Sequence, residues 1–131
     1  MTCIRTPWDN FPKVRVLYPL KTLSNASNEL YINAKSGDML AAFELLHQYV
    51  LKKTEIYSLG SQIFKDNPIL VPVIAKEQLG NNKIPLAYAN LLSGYIGLEY
   101  NDDIVQSVKA NHTNANAYER IVRQPQFEGY V

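Results

Sequence analysis

Asn67 to Gly97 reads NPILVPVIAKEQLGNNKIPLAYANLLSGYIG, and the interpretation of this stretch decides the fold. The apolar run Ile69-Leu70-Val71-Pro72-Val73-Ile74-Ala75 is rich in Val and Ile and bounded by polar residues. Its length and composition are those of a buried strand in an α/β sheet. A polar turn follows from Lys76 to Lys83. Tyr88, Leu91, Leu92, Tyr95 and Ile96 then recur at i, i+3, i+4, i+7 and i+8, which predicts one continuous apolar helix face. Asn82 suits the N-cap of that helix, and Pro85 its first turn, where a missing backbone donor costs little. Gly97 suits the position just past its end. A strand that passes through a polar loop into a helix start is where open α/β sheets bind ligands, often anions. The sequence therefore points to this corner as the place for a site.

Working outward, 131 residues make one α/β domain or an incomplete one, with residues 1–67 as an N-terminal extension and 68–131 as the βαβ part. An apolar share of 47% against a charged share of 19% suits an ordered core. A net charge of +1 argues against nucleic acid or an anionic membrane as a partner. The single cysteine, Cys3, has no internal disulfide partner, no apolar run spans a bilayer, and no signal-peptide core is present. A cytoplasmic location is the expectation. Asn25-Ala26-Ser27 and Asn111-His112-Thr113 match the glycosylation sequon, which in such a chain is chance.

Upstream, Val14 to Tyr18 alternates weakly and ends at Pro19, which predicts a short edge strand; Leu30-Tyr31-Ile32 predicts another. Asp38 is placed to cap an amphipathic helix that runs to about Lys53. On that helix Glu44 and His47 form a single Glu-x-x-His pair, too few ligands for a metal. Residues 54–66 read as a shorter helix or loop. Downstream, Ile104 to Val108 is a second β-like run, so residues 69–108 predict a βαβ unit. A short helix is expected over 115–122, ended by Pro125, Phe127 and Gly129. There is no GxGxxG, Walker loop, nucleophile elbow, HExxH or CxxC. Adjacent Asp102 and Asp103 suit a turn. Lys109, His112, Arg120 and Arg123 either converge on a phosphate or form a solvated loop, and spacing alone favours the loop.

The runs Val71-Pro72-Val73, Gly80-Asn81-Asn82-Lys83-Ile84-Pro85, Asp103-Ile104-Val105-Gln106, His112-Thr113, and Arg120 with Gln124 through Val131 resemble bacterial phosphoribosyltransferase-like proteins of type I fold. The resemblance covers about residues 68–131. It implies a Rossmann-like parallel sheet flanked by helices and transfer of a phosphoribosyl group between phosphoribosyl pyrophosphate (PRPP) and a nitrogenous base, with Mg2+. It further implies that Lys76, Asn82 and Lys83 contact pyrophosphate, while Lys109, His112 and Arg120 act from a closing loop. Cations on the departing pyrophosphate and exclusion of water are what such a transfer needs.

The sequence departs from that pattern where it matters most. The strand, paired acids and Gly/Thr-rich loop that cradle the ribose 5-phosphate would follow Val131 and are not in the chain. A truncated product, a split protein and a fragment with another role all fit, and the chain alone is expected to be inactive as a transferase. A non-catalytic nucleotide- or phosphate-binding or protein-interaction module is the alternative. A parallel sheet without its later strands exposes an apolar edge, so a complementary chain or a second copy is the expected partner.

Overall fold

Several helices in this chain begin at side chains that satisfy the first free backbone donors. The computed structural model describes residues 9, 14–19, 21–49, 51–77, 80–108, 115–123 and 125–130, with the backbone alone at 53, 64, 76, 77, 120 and 121. The helices are α1 (Thr22–Ala26), α2 (Asn28–Ser36), α3 (Met39–Tyr49), α4 (Lys53–Ile63), α5 (Ile84–Ile96) and α6 (Ala117–Val122), with one 3-10 turn at Phe64–Asp66. Ser27 caps α2 by accepting from the Leu30 N–H at 3.4 Å, and the Asp38 carboxylate accepts from the Ala41 N–H at 3.0 Å at the start of α3. Asn116 and Glu119 form a reciprocal capping box on α6. Gly97, at φ 71, closes α5 in the left-handed region.

Leu30-Tyr31-Ile32 lies inside α2 rather than in a strand. The cap at Ser27 and the i, i+4 pair of Leu30 and buried Ala34 commit the segment to a helix, and three apolar residues in a row carry no alternation to oppose it. Residues 14–18 form no strand either; Val14 and Val16 are exposed, while Leu17 and Tyr18 are half-buried.

The core has two parts that meet on α5. Ala34, Ala41, Ala42, Leu46 and Ala87 form one cluster, with Leu23, Leu30 and Phe43 packed against it. Ile56, Leu92, Ile96 and Leu98 form the other, with Leu70 and Tyr95 on its margin. Tyr88 and Leu51 border both. Small side chains allow this close packing. A Cβ built on Gly60 of α4 would lie 2.6 Å from the Ile96 Cγ2 of α5, so the helix pair touches through a missing side chain.

Strand structure is sparse. β1 (Lys76–Glu77) and β2 (Gly80–Asn81) form a tight antiparallel hairpin. β3 (Val105–Val108) pairs antiparallel with β4 (Gln126–Glu128), with an irregularity between Gln106 and Val108. β4 is absent from the sequence reading because Pro125 and Gly129 look like terminators. Gly129, at φ 144, lets the chain return against Asp103, whose carbonyl oxygen lies 2.4 Å from where a Cβ would stand. The run 69–75 lies extended beside 100–106 through two isolated parallel bridges, Leu70 to Tyr100 and Ile74 to Val105, with α5 as the crossover. Among the described residues no parallel sheet or Rossmann-like layer extends beyond these two bridges.

Two glycine substitutions separate packing from propensity. Gly94→Ala, at an exposed helical position with nothing within 4 Å, should raise the unfolding free energy by about 1 kcal/mol. Gly60→Ala should lower it despite the same propensity gain, by about 1–3 kcal/mol, because overpacking forces Ile96 aside. Urea unfolding of both variants checks the contrast.

Candidate functional site

The corner between residue 76 and α5 is built as structure. Gly80, at φ 132, brings the hairpin so close to α2 that a Cβ there would fall 2.5 Å from the Ser36 carbonyl oxygen. The Lys83 N–H donates to the Ala34 carbonyl at 3.0 Å, which fastens the start of α5 to the end of α2. The Asn82 Oδ1 accepts from the Ile84 N–H at 3.0 Å and so caps α5 from one residue before the assigned cap, Lys83. Asn82 and Lys83 are both half-buried. Lys76 contributes its backbone to β1, and its side chain lies outside the described residues. Lys109 and His112 also lie outside them, and Arg120 enters only as backbone of α6. The structure thus brings Asn82 and Lys83 together at the head of α5, and the side chains of the second expected cluster lie outside the described residues. Among the described residues no three His, Cys, Asp or Glu side chains are grouped to hold a metal ion; Mg2+ was implied by the resemblance alone.

A shallow cavity of about 280 Å³ lies elsewhere, lined by Arg15, Leu17, Thr54, Glu55, Ser58 and Leu59. The Tyr18 hydroxyl is shielded from solvent without a well-formed hydrogen bond. Burial, and then the Glu55 carboxylate, push the Tyr18 pKa up, and the nearby Lys52 backbone N–H offsets part of the shift. Burial, followed by the proximity of Tyr18, pushes the Tyr88 hydroxyl up to about 12. Both tyrosines pack, partly buried, against the alanine-rich cluster.

The feature that stands out is the run 69–75. The Leu70 N–H donates to the Glu99 carbonyl and the Leu70 carbonyl accepts from the Asn101 N–H, each at 2.9 Å, and the Ile74 carbonyl accepts from the Gln106 N–H at 2.8 Å. Even-numbered residues therefore direct their backbone groups toward 99–106, and odd-numbered ones direct theirs the other way. Among the described residues Ile69, Val71 and Val73 have no backbone partner on that outer side. Their side chains are uncovered as well, at 45%, 42% and 63% exposure, whereas Pro72 is buried and Leu70 and Ile74 are half-buried. The sequence reads this run as buried on both faces; the structure covers one. Its composition cannot reveal that, because an apolar strand looks the same whether or not a second layer is present.

No protein-family model matches the chain, and no solved structure matches it. Protein TraN of Escherichia coli is 41% identical over 127 residues, which is 97% of this chain and 28% of TraN. An uncharacterized protein of Haemophilus influenzae (strain ATCC 51907 / DSM 11121 / KW20 / Rd) is 33% identical over 129 residues, 98% of this chain and 28% of that protein. The chain spans little more than a quarter of the length of these curated relatives. Neither relative is a phosphoribosyltransferase by name, and this overturns the resemblance to that group together with the phosphoribosyl-transfer reading of function. The physical reason lies in the runs that carried it. GNNKIP is a hairpin end, a cap and a first-turn proline, and Gln126–Gly129 is a short strand closed by a close-approach glycine. Both are local solutions open to any chain that starts a helix or turns back on a sheet edge.

Two outcomes test these assignments. Asn82→Ala should cost about 1 kcal/mol in urea unfolding, as the loss of a helix cap does. Unfolded tyrosine ionises near pH 10.0 while folded Tyr88 holds its proton to about 12. The contribution of Tyr88 is thus fully present below pH 10.0 and is lost as pH rises through about 12. Stability measured across that window should fall less steeply in Tyr88→Phe than in the parent chain.

Proposed function

We propose that this chain is a non-catalytic protein-interaction module whose contact surface is the outer side of residues 69–75. The observation that carries the reading is the coincidence of three exposed apolar side chains with the unpaired backbone of the same residues, Ile69, Val71 and Val73. Apolar side chains beside free N–H and C=O groups are a template for another polypeptide, because main-chain bonds supply affinity and alternate side chains supply fit. A small polar ligand has no use for such a surface. The remainder of the molecule supports the same reading, since its perturbed groups, Tyr18 and Tyr88, belong to the core. The relatives support it too: a stretch that aligns almost end to end with this chain is joined in them to a much longer polypeptide. A segment of that kind works beside other protein.

Sedimentation velocity at micromolar concentrations tests the proposal. The chain should associate reversibly, and Val73→Lys should weaken that association at least tenfold while leaving the circular dichroism spectrum and melting unchanged. A chain that sediments as a monomer throughout the range overturns it.

A further inference from the structure

We infer that β4 is a strap that opens on its own: Gln126–Tyr130 peels away from β3 while the helical core stays folded, and its release uncovers the far edge of β3. The inference is independent of the outer side of residues 69–75. It starts from where the core ends. Among the described residues neither apolar cluster includes a side chain beyond Leu98. All three residues of β4 are exposed, Phe127 at 48%, and Tyr130 beyond them is exposed as well. α6, which precedes β4, leaves Tyr118 and Val122 exposed and is capped by its own Asn116 and Glu119. No described side chain of this arm is buried. Segments with few buried apolar contacts and solvent-exposed backbone bonds are the ones that open below the cost of global unfolding.

The strap is held by a short ladder and by one side chain. Val105 pairs with Glu128 and Gln106 with Phe127, and the register slips before Val108 meets Gln126. At that end the Gln106 side-chain amide donates to the Val108 carbonyl at 2.7 Å, a bond within β3, and the Ser107 hydroxyl reaches the Gln126 carbonyl only at 3.4 Å. The opposite end is anchored. The Asn101 Nδ2 donates to the Tyr130 carbonyl and its Oδ1 accepts from the Asp103 N–H, both at 2.9 Å, while Gly129 sits against the Asp103 carbonyl. These bonds are exposed, and water replaces them at small net cost. β3 stays in place when the strap leaves, because its other side is bonded to residues 69–75. The Gln106 N–H donates to the Ile74 carbonyl at 2.8 Å, so by alternation the Val105 N–H turns the other way, toward Glu128. Adjacent amides therefore report on opposite sides of one strand. The closed strap occupies the edge that any other strand would need.

Amide hydrogen exchange followed residue by residue by NMR separates the two sides. After correction for intrinsic rates, Val105 should exchange about tenfold or more faster than Gln106, and the amides of α5 should be slower still. Gly129→Ala places a methyl group against the Asp103 carbonyl. It should strip Val105 of protection while the helical circular dichroism and its melting midpoint stay as in the parent. Asn101→Asp keeps the acceptor for the Asp103 N–H and loses the donor to Tyr130. It should speed Val105 by about threefold or more and leave Gln106 unchanged. Val105 and Gln106 exchanging at one rate in the parent chain overturns the strap, since the two sides of β3 then open together. Loss of helical structure or a lowered melting midpoint in Gly129→Ala overturns it too, because the strand is then part of the core.

Discussion

The burial of α5 on both flanks is the constraint from which the rest of the structure follows. Ala87 packs into the alanine-rich cluster with α2 and α3, and Leu92 and Ile96 pack into the second cluster with Ile56 and Leu98. One helix thus serves two cores, and it does so through small side chains at its closest approaches. Gly60 is open to Ile96 on one side, and Ala41 and Ala42 lie in the same cluster as Ala87 on the other. Interiors are close-packed, so such contacts leave little freedom in where α5 lies. Its head is fixed by the Lys83 bond to the end of α2, and its tail delivers residues 98–106 alongside 69–75.

What the sequence made legible is what is encoded locally. α5 announces itself through its apolar spacing, Pro85 in its first turn and Gly97 at its end. The start of α3 is legible in Asp38, whose cap is one side chain and a backbone donor a few residues away. α6 was legible as a short helix over 115–122, while its cap at Asn116 was not read. Of the elements that escaped, β4 was decided at a distance, since it depends on Gly129 finding Asp103, which composition does not display. α2 escaped for a local reason, because its signal is the Ser27 cap rather than any apolar alternation. The corner at 76–83 was legible as a turn into a helix, yet its hairpin docks on the end of α2 through Gly80, a contact hidden until both segments are placed. The uncovered face of 69–75 was illegible for a related reason: residue type records a preference for burial, not whether a covering layer exists.

The relatives frame this outcome. Two bacterial proteins contain a counterpart of almost the whole chain within polypeptides more than three times as long, at 28% coverage each. In this chain Ile69, Val71 and Val73 stay exposed among the described residues, and the proposed interaction role rests on them rather than on a cleft. The side chains that matter for such a role are apolar and unremarkable by type, which is why a search for chemical groups passes over them.

The two isolated bridges carry a last consequence, for what holds the extended pair in place. Linking Leu70 to Tyr100 closes a loop of roughly thirty residues, at an entropic cost of about 3 kcal/mol by the logarithmic dependence on loop length. Three backbone bonds join the two segments, and at a net of about 1 kcal/mol each they only offset that cost. The pair is therefore held by its inner side chains, Leu70 among them, gripping α5 and Leu98. In this molecule the strand is a passenger on the helix, and any repacking beneath it moves the outer rim as well.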